Sequence, residues 1–137
     1  LPKPPNIPDD SIGRVAAFRL ALQRFERASD RIVRRSGLTP RQYLLLLTLE
    51  GRHGGSASIG TLSQELLLAQ STVTELADRA QADGLVERVV ARHDARVVLL
   101  HTTREGARRL GRALEALDRE RDRLGTAIDE LNAALPR

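Results

Sequence analysis

Apolar residues at Ile12, Val15, Phe18, Leu22, Phe25 and Ile32 recur at spacings of three or four, with Ser29 filling the one gap. That period marks one face of an amphipathic helix, predicted over residues 10–35. The stretch SGLTPRQ then ends it and starts another. Gly37 is a stop signal, Thr39 a good N-cap, Pro40 suits the first helical position, and Gln42 completes a capping box. The next helix, RQYLLLLTLEG, is apolar nearly all round and is expected to be the buried centre. GRHGGSAS reads as a loop. Two shorter helices follow, over about 59–67 (IGTLSQELL) and 70–83 (QSTVTELADRAQAD). In the second, Val73, Leu76, Ala77 and Ala80 form the apolar stripe, leaving Gln70, Ser71, Thr74, Glu75, Asp78 and Arg79 largely off it.

Gly84 ends that helix, and the period changes. LVERVVARHDARVVLLH reads as a hairpin of two valine-rich strands around a five- or six-residue tip, RHDAR. Thr102 and Glu105 are placed as a second capping box. Beyond them Ala107, Leu110, Leu114, Leu117, Arg121, Leu124, Ile128, Leu131 and Leu135 alternate spacings of three and four. This is a heptad seam interrupted by one arginine, with Gly125 the expected place of any break.

Helix, buried helix, short helix, polar-faced helix, hairpin and long helix make a mainly α fold with a small β-hairpin: a winged helix-turn-helix flanked by long helices. The expected organisation is a single domain over 1–137, with a winged core at 38–106 and helical dimerisation segments at 10–36 and 103–135. The seam looks too long for a chain of 137 residues to cover with its other two long helices. It calls for a partner helix, most simply from a second copy, through Ile12, Val15, Leu114, Leu117, Leu124, Ile128 and Leu131. The alternative is packing of the seam on helix 10–35 of the same chain.

Composition narrows the partner. The chain is 41% hydrophobic and 29% charged, within the range of globular proteins. Net charge is +4 and arginine is nearly the only cation, which suggests an anionic partner. The charge is uneven: residues 1–60 carry ten Lys/Arg against five Asp/Glu, whereas residues 61–106 carry five against seven. Cysteine is absent, so disulfides, thiolate zinc sites and thiol redox switches are excluded, and a cytoplasmic location is expected. No apolar run approaches the ~20 residues of a membrane span, and LPKPPNIPDD reads as an extended proline-rich leader rather than a signal peptide.

Enzyme chemistry finds no footing. His53, His93 and His101 are not at metal-ligand spacing, and no Ser-His-acid or Cys-His set can be nominated. GRHGGSAS lacks the Gly-Lys-Ser/Thr ending of a phosphate-binding loop. Neither cofactor nor metal is expected.

At Leu62–Gly106 the residues resemble the winged-helix core of the MarR family of bacterial transcription regulators. Asp94, Arg96, Thr103 and Gly106 match that family's wing pattern in register, and DGLVER at 83–88 matches the junction of recognition helix and wing. The resemblance implies a homodimeric regulator, by family habit a repressor, binding double-stranded DNA at a pseudo-palindromic operator. Helix 70–83 would lie in the major groove, and the wing at 91–96 would reach the minor groove with Arg96, held by Asp94. Spacing supports the last point independently, since residues two apart share one side of a strand and a carboxylate can brace a guanidinium. The DNA-contacting set is then Gln70, Ser71, Thr72, Thr74, Glu75, Arg79, Arg92, His93, Asp94 and Arg96, with Arg41 and Arg88 as further phosphate candidates. Some relatives release DNA when a small aromatic or amphipathic effector binds between dimer helices and winged core; by position Phe18, Leu22, Phe25 and Tyr43 would line that pocket.

The departures matter too. Ala95 stands where the family has arginine, Thr102 where it has leucine, and Ala69 where a serine often caps the recognition helix. Glu75 occupies a position often basic in relatives. Glutamate repels phosphate but can accept from cytosine N4. With the acidic core it also favours a second reading, a dimeric winged-helix protein-interaction module with weak or no DNA affinity.

Overall fold

The computed structural model describes residues 1, 2, 6 and 9–134. Half of the predicted leader, residues 3–5, 7 and 8, and Leu135 at the end of the seam lie outside the described residues. In chain order the elements are α1 (Asp9–Arg35), α2 (Pro40–His53), β1 (Ser56–Ser58), α3 (Ile59–Leu66), α4 (Gln70–Ala82), β2 (Val86–Ala91), β3 (Asp94–Thr102), α5 (Arg104–Ala116) and α6 (Asp118–Ala134).

The α2 start forms as its sequence dictates. Thr39 accepts from the Gln42 N–H at 3.1 Å, and the Gln42 side chain accepts from the Thr39 N–H at 3.0 Å, with Pro40 at the first position. The inner face of α2 supplies the centre of the core. Leu45, Leu46 and Leu49 are fully buried, joined by Val33, Leu38, Leu62, Val73, Ala77, Leu85, Leu100, Leu110 and Leu117. Each fully buried Leu or Val contributes roughly 1.5–3 kcal/mol. The helix is not buried all round, however: Leu44 is 46% exposed. Nor is GRHGGSAS a loop throughout. Arg52 and His53 complete α2, and Ser56–Ser58 forms a third strand on the hairpin. The sheet order is β1-β3-β2, antiparallel, with Ser56 opposite His101 and Val86 opposite Thr102. Three residues are too few to show a strand's alternation, so the sequence hid it.

The hairpin differs at its tip. Ala91 pairs with Asp94, so only Arg92 and His93 lie outside the strands. The remaining slack is a register shift: Val90 pairs with Val98 while Ala91 pairs with Asp94. Residues 95–97 therefore bulge from β3, which is why RHDAR looked like a longer loop.

The second capping site is one residue later than expected. Thr103, not Thr102, caps α5: its hydroxyl accepts from the Gly106 N–H at 3.0 Å. Thr102 ends β3 with a buried hydroxyl that has no partner among the described residues. Glu105 instead pairs with Arg108 at 2.5 Å and Arg109 at 2.8 Å.

The seam is not one helix. It breaks at Leu117, between α5 and α6, and Gly125 lies inside α6. Arg121, the residue that interrupts the apolar repeat, donates to the Leu114 carbonyl at 2.6 Å. It satisfies an acceptor that the end of α5 leaves without an intrahelical donor. Leu110 and Leu117 are buried in the core of their own chain, and α6 packs along α1. Much of the seam is thus covered within one chain. Ile12 and Val15 on α1 and Ile128 on α6 remain exposed, at 46, 48 and 39%. Leu114, Leu124 and Leu131 are half-buried.

Candidate nucleic-acid interface

Helix α4 carries its buried stripe as the pattern required: Val73, Leu76, Ala77 and Ala80 face the core. Gln70, Ser71, Thr74, Glu75 and Arg79 are exposed on the other side, and Thr72 is half-buried. The Thr74 hydroxyl donates to the Gln70 carbonyl at 2.9 Å, so towards a ligand it is chiefly an acceptor. Ala69 supplies no side-chain cap, so the first N–H groups of α4 have no side-chain acceptor from that residue. This is a polar face on a helix whose N-terminus has no side-chain cap.

Beside it lies a groove of about 380 Å³ walled by Arg34, Thr39, Pro40, Arg41, Gln42, Thr72, Glu75, Leu76 and Arg79. It brings the end of α1 and the start of α2 against α4. Three arginines and one carboxylate, Glu75, therefore line the same groove. Arg41 was a sequence candidate. Arg34 was not, because nothing in a helix's last turn indicates which later element it will face.

On the wing, the Asp94 carboxylate accepts from the Arg96 backbone N–H at 3.0 Å, its Nε at 3.1 Å and its Nη2 at 3.4 Å. These bonds hold the Asp94 carboxyl below the usual aspartate range, the side-chain bond first and the backbone bond second. The Arg96 side chain is 90% exposed. Such a pair adds little stability. What it does is aim a guanidinium outward, with N–H donors left for another acceptor. Arg92 and His93 are exposed in the turn beside it. Arg88 is not a free cation: it donates to Asp78 at 2.7 Å and to Gln81, tying β2 to α4.

The hinge between α4 and the wing is tightly held. Gly84 has φ +75°, a conformation that favours glycine. Its carbonyl accepts from the Thr103 hydroxyl at 2.6 Å, and the Leu85 carbonyl accepts from the Thr103 N–H at 3.0 Å. Gly106 passes so close that a Cβ there would lie 2.2 Å from the Leu85 carbonyl oxygen. Thr103 and Gly106 are thus the residues that let α5 start against the end of α4.

The remaining histidines serve local contacts. His53 meets Glu65 at 2.8 Å, and His101 meets the Ser56 hydroxyl at 2.6 Å. The bulge at 95–97 also breaks the alternation that would have set His93 and His101 on one face. Among the four residues named for an effector pocket, Phe18 lines a groove between α1 and α6 with Ala17, Ala21 and Leu131. Tyr43 packs against the core cluster. Leu22 and Phe25 are half-buried on α1 and do not line that groove.

Known proteins are similar to this chain in sequence and fold. Residues 36–97 match the model of the MarR family. Over 77 residues the chain is 43% identical to an uncharacterized HTH-type transcriptional regulator, YsmB, of Bacillus subtilis (strain 168), covering 56% of this chain and 51% of that protein. The chain therefore spans about half the length of the curated relative it matches. A MarR family protein from Bacillus stearothermophilus has a similar structure, with a TM-score of 0.73 and 26% identity over 83% of this chain and 79% of that one. A mutant MarR from E. coli complexed with operator DNA gives a TM-score of 0.66 at 21% identity, over 91% and 95% of the two chains. At that identity the likeness speaks to fold.

Proposed function

We propose that this chain, whose residues 36–97 match the MarR family model, is a member of that family: a sequence-specific transcription regulator that binds a pseudo-palindromic DNA operator as a homodimer. The observation that carries this reading is Arg96, 90% exposed and braced by two side-chain hydrogen bonds and one backbone hydrogen bond to Asp94, on a wing that adjoins a polar-faced helix without a side-chain N-cap. Helix α4 reads the major groove through Gln70, Ser71, Thr72, Glu75 and Arg79, with Thr74 accepting. Arg96 enters the narrow, strongly negative minor groove, with Arg92 and His93 at the phosphates. Arg34 and Arg41 supply backbone attraction that Arg88, already engaged, does not. The exposed Ile12, Val15 and Ile128 support the dimer. Repression follows if the operator overlaps a promoter. An aromatic or amphipathic effector would act by favouring a spacing of the two recognition helices that cannot bind DNA.

The test is fluorescence anisotropy with DNA from the gene's own upstream region and a scrambled duplex, titrated across salt. Selective binding with a steep salt slope is expected, and Arg96→Ala should weaken it by ~1–3 kcal/mol without changing oligomeric state. Unchanged binding by that variant removes the wing from the mechanism. The exposed carboxylate of Glu75 favours the second reading, docking to a protein. Absence of selective DNA binding, even in a genome-wide selection, would decide for it.

A further inference from the structure

We propose that the hydrogen bond from buried Gln42 to exposed Asp83 sets the tilt of recognition helix α4, so that a bond outside the base-reading residues governs sequence selectivity; this rests on the DNA-binding reading above. Gln42 is 4% exposed, and both ends of its amide are used. Its Oε1 accepts from the Thr39 N–H at 3.0 Å, and its Nε2 donates to Asp83 Oδ2 at 2.8 Å. Thr39 N–H can only donate and the Asp83 carboxylate can only accept, so the orientation of the amide is fixed by its partners. Asp83 ends α4, and its own N–H is bonded to the Arg79 carbonyl at 3.0 Å. The start of α2 is thereby fastened to the end of α4.

The other side of the same corner is fastened by Thr103, through Gly84 and Leu85. The opposite end of α4 has no side-chain cap at Ala69. The apolar stripe of α4 holds its depth, but two of its four members are alanines, and apolar contact is not directional. The directional restraint sits at the end of α4 opposite Gln70, Ser71 and Thr72, with Arg79 beside it. At 1.5 Å per residue α4 is about 20 Å long. Tilting it by ~5° about the Asp83 end moves the first turn by roughly 1.7 Å, more than a hydrogen bond tolerates. Side chains lining the adjacent groove include Arg34, Arg41 and Arg79, yet among the described residues Asp83 takes the neutral amide as its side-chain partner. A neutral donor suits a geometric clamp, because it adds no charge that salt would screen.

The test reverses the polarity of the bond in the full chain. Gln42→Glu sets two acceptors face to face. Asp83→Asn leaves an acceptor for Gln42. In the double variant the asparagine amide donates to the glutamate, so the bond returns with its direction swapped and the net charge unchanged. The probe is a duplex enriched by the wild-type protein from a random pool. The readout is the ratio of its affinity to that for a scrambled duplex, with thermal stability measured alongside. Gln42→Glu should lower the ratio roughly tenfold, about the loss of one base contact. The double variant should recover to the level of Asp83→Asn. An unchanged ratio in Gln42→Glu, or a double variant as unselective as Gln42→Glu, overturns the proposal, whatever happens to stability. If Gln42→Glu does not fold, Asp83→Ala carries the same test: a ratio lowered severalfold supports the clamp and an unchanged one removes it. Should the wild-type protein enrich no duplex, the DNA-binding reading itself fails, before any variant is compared.

Discussion

Replacing Gly106 with alanine tests how closely α5 and the wing hinge are packed. The added methyl would sit 2.2 Å from the Leu85 carbonyl oxygen and 3.1 Å from its carbon, both backbone atoms. A carbon and an oxygen settle near ~3.3 Å, so α5 must retreat by about 1 Å. Two hydrogen bonds span that gap, from Thr103 N–H to Leu85 at 3.0 Å and from the Thr103 hydroxyl to Gly84 at 2.6 Å. Neither survives such a stretch, and each contributes about 1 kcal/mol. Overpacking costs a further ~1–3 kcal/mol, while better helix propensity returns about 1 kcal/mol. The expected net loss is therefore roughly 2–4 kcal/mol. Urea unfolding followed by circular dichroism reads it as a lower midpoint at similar slope. Gly51 is the control: it is helical and exposed, and a Cβ there meets nothing within 4 Å. Gly51→Ala should be neutral or stabilising by up to ~1 kcal/mol. A Gly106→Ala protein with the wild-type midpoint would refute the close approach and the account of Thr103 and Gly106 built on it.

Arg108 first, then Arg109, hold the Glu105 carboxyl down from 4.5 to about 2. A depressed carboxylate stabilises the fold above its unfolded value, and that contribution fades as pH falls from about 4.5 towards 2. Glu105→Gln should thus flatten the acid limb of an unfolding-versus-pH curve, and an unaltered limb would mean the two ion pairs do not matter in solution. Ile128 is exposed on α6, so Ile128→Asp should leave the monomer folded and shift sedimentation from dimer to monomer; a variant that remains dimeric moves the interface elsewhere. Leu117→Ala should instead cost ~2–5 kcal/mol in urea, because Leu117 is buried within its own chain, and an effect under 1 kcal/mol would place it outside the core.

Most of what a local rule governs was legible in the residues, although the α5 cap falls on Thr103 and not Thr102. The period of α1, the capping box at Thr39 and Gln42, the buried stripe of α4 and the Asp94–Arg96 pair all involve neighbours within four positions, where spacing alone fixes geometry. What was not legible depends on distant chain. Strand β1 exists because β3 offers it an edge, and three residues carry no pattern of their own. Gln42 could be assigned to its cap but not to Asp83, 41 residues away. The seam breaks at Leu117 and not at Gly125, the expected place of any break, because an apolar repeat does not register a break that keeps its phase. Arg121 was the available signal. An arginine in an apolar row needs an acceptor, and the end of a helix supplies carbonyls; glycine, tolerated inside an exposed helix, was the weaker clue.

The same long-range ties explain why the wing pattern ends in Thr103 and Gly106, residues that touch no base in the proposed complex. Thr103 bonds the two residues that follow the end of α4, and Gly106 lets α5 come close enough for it to do so. Three residues further along, Arg109 donates to Glu105 at 2.8 Å and to the Gly37 carbonyl at 2.9 Å, tying α5 to the junction of α1 and α2. Helix α5 is thus fixed both to the recognition helix and to the corner from which α2 starts. In the proposed dimer, α5 cannot shift against the winged core without breaking one of these ties. On that proposal the separation of the two α4 helices would follow from how the long helices of the two copies pack, and a ligand that altered that packing would have a rigid path to the face proposed to read DNA.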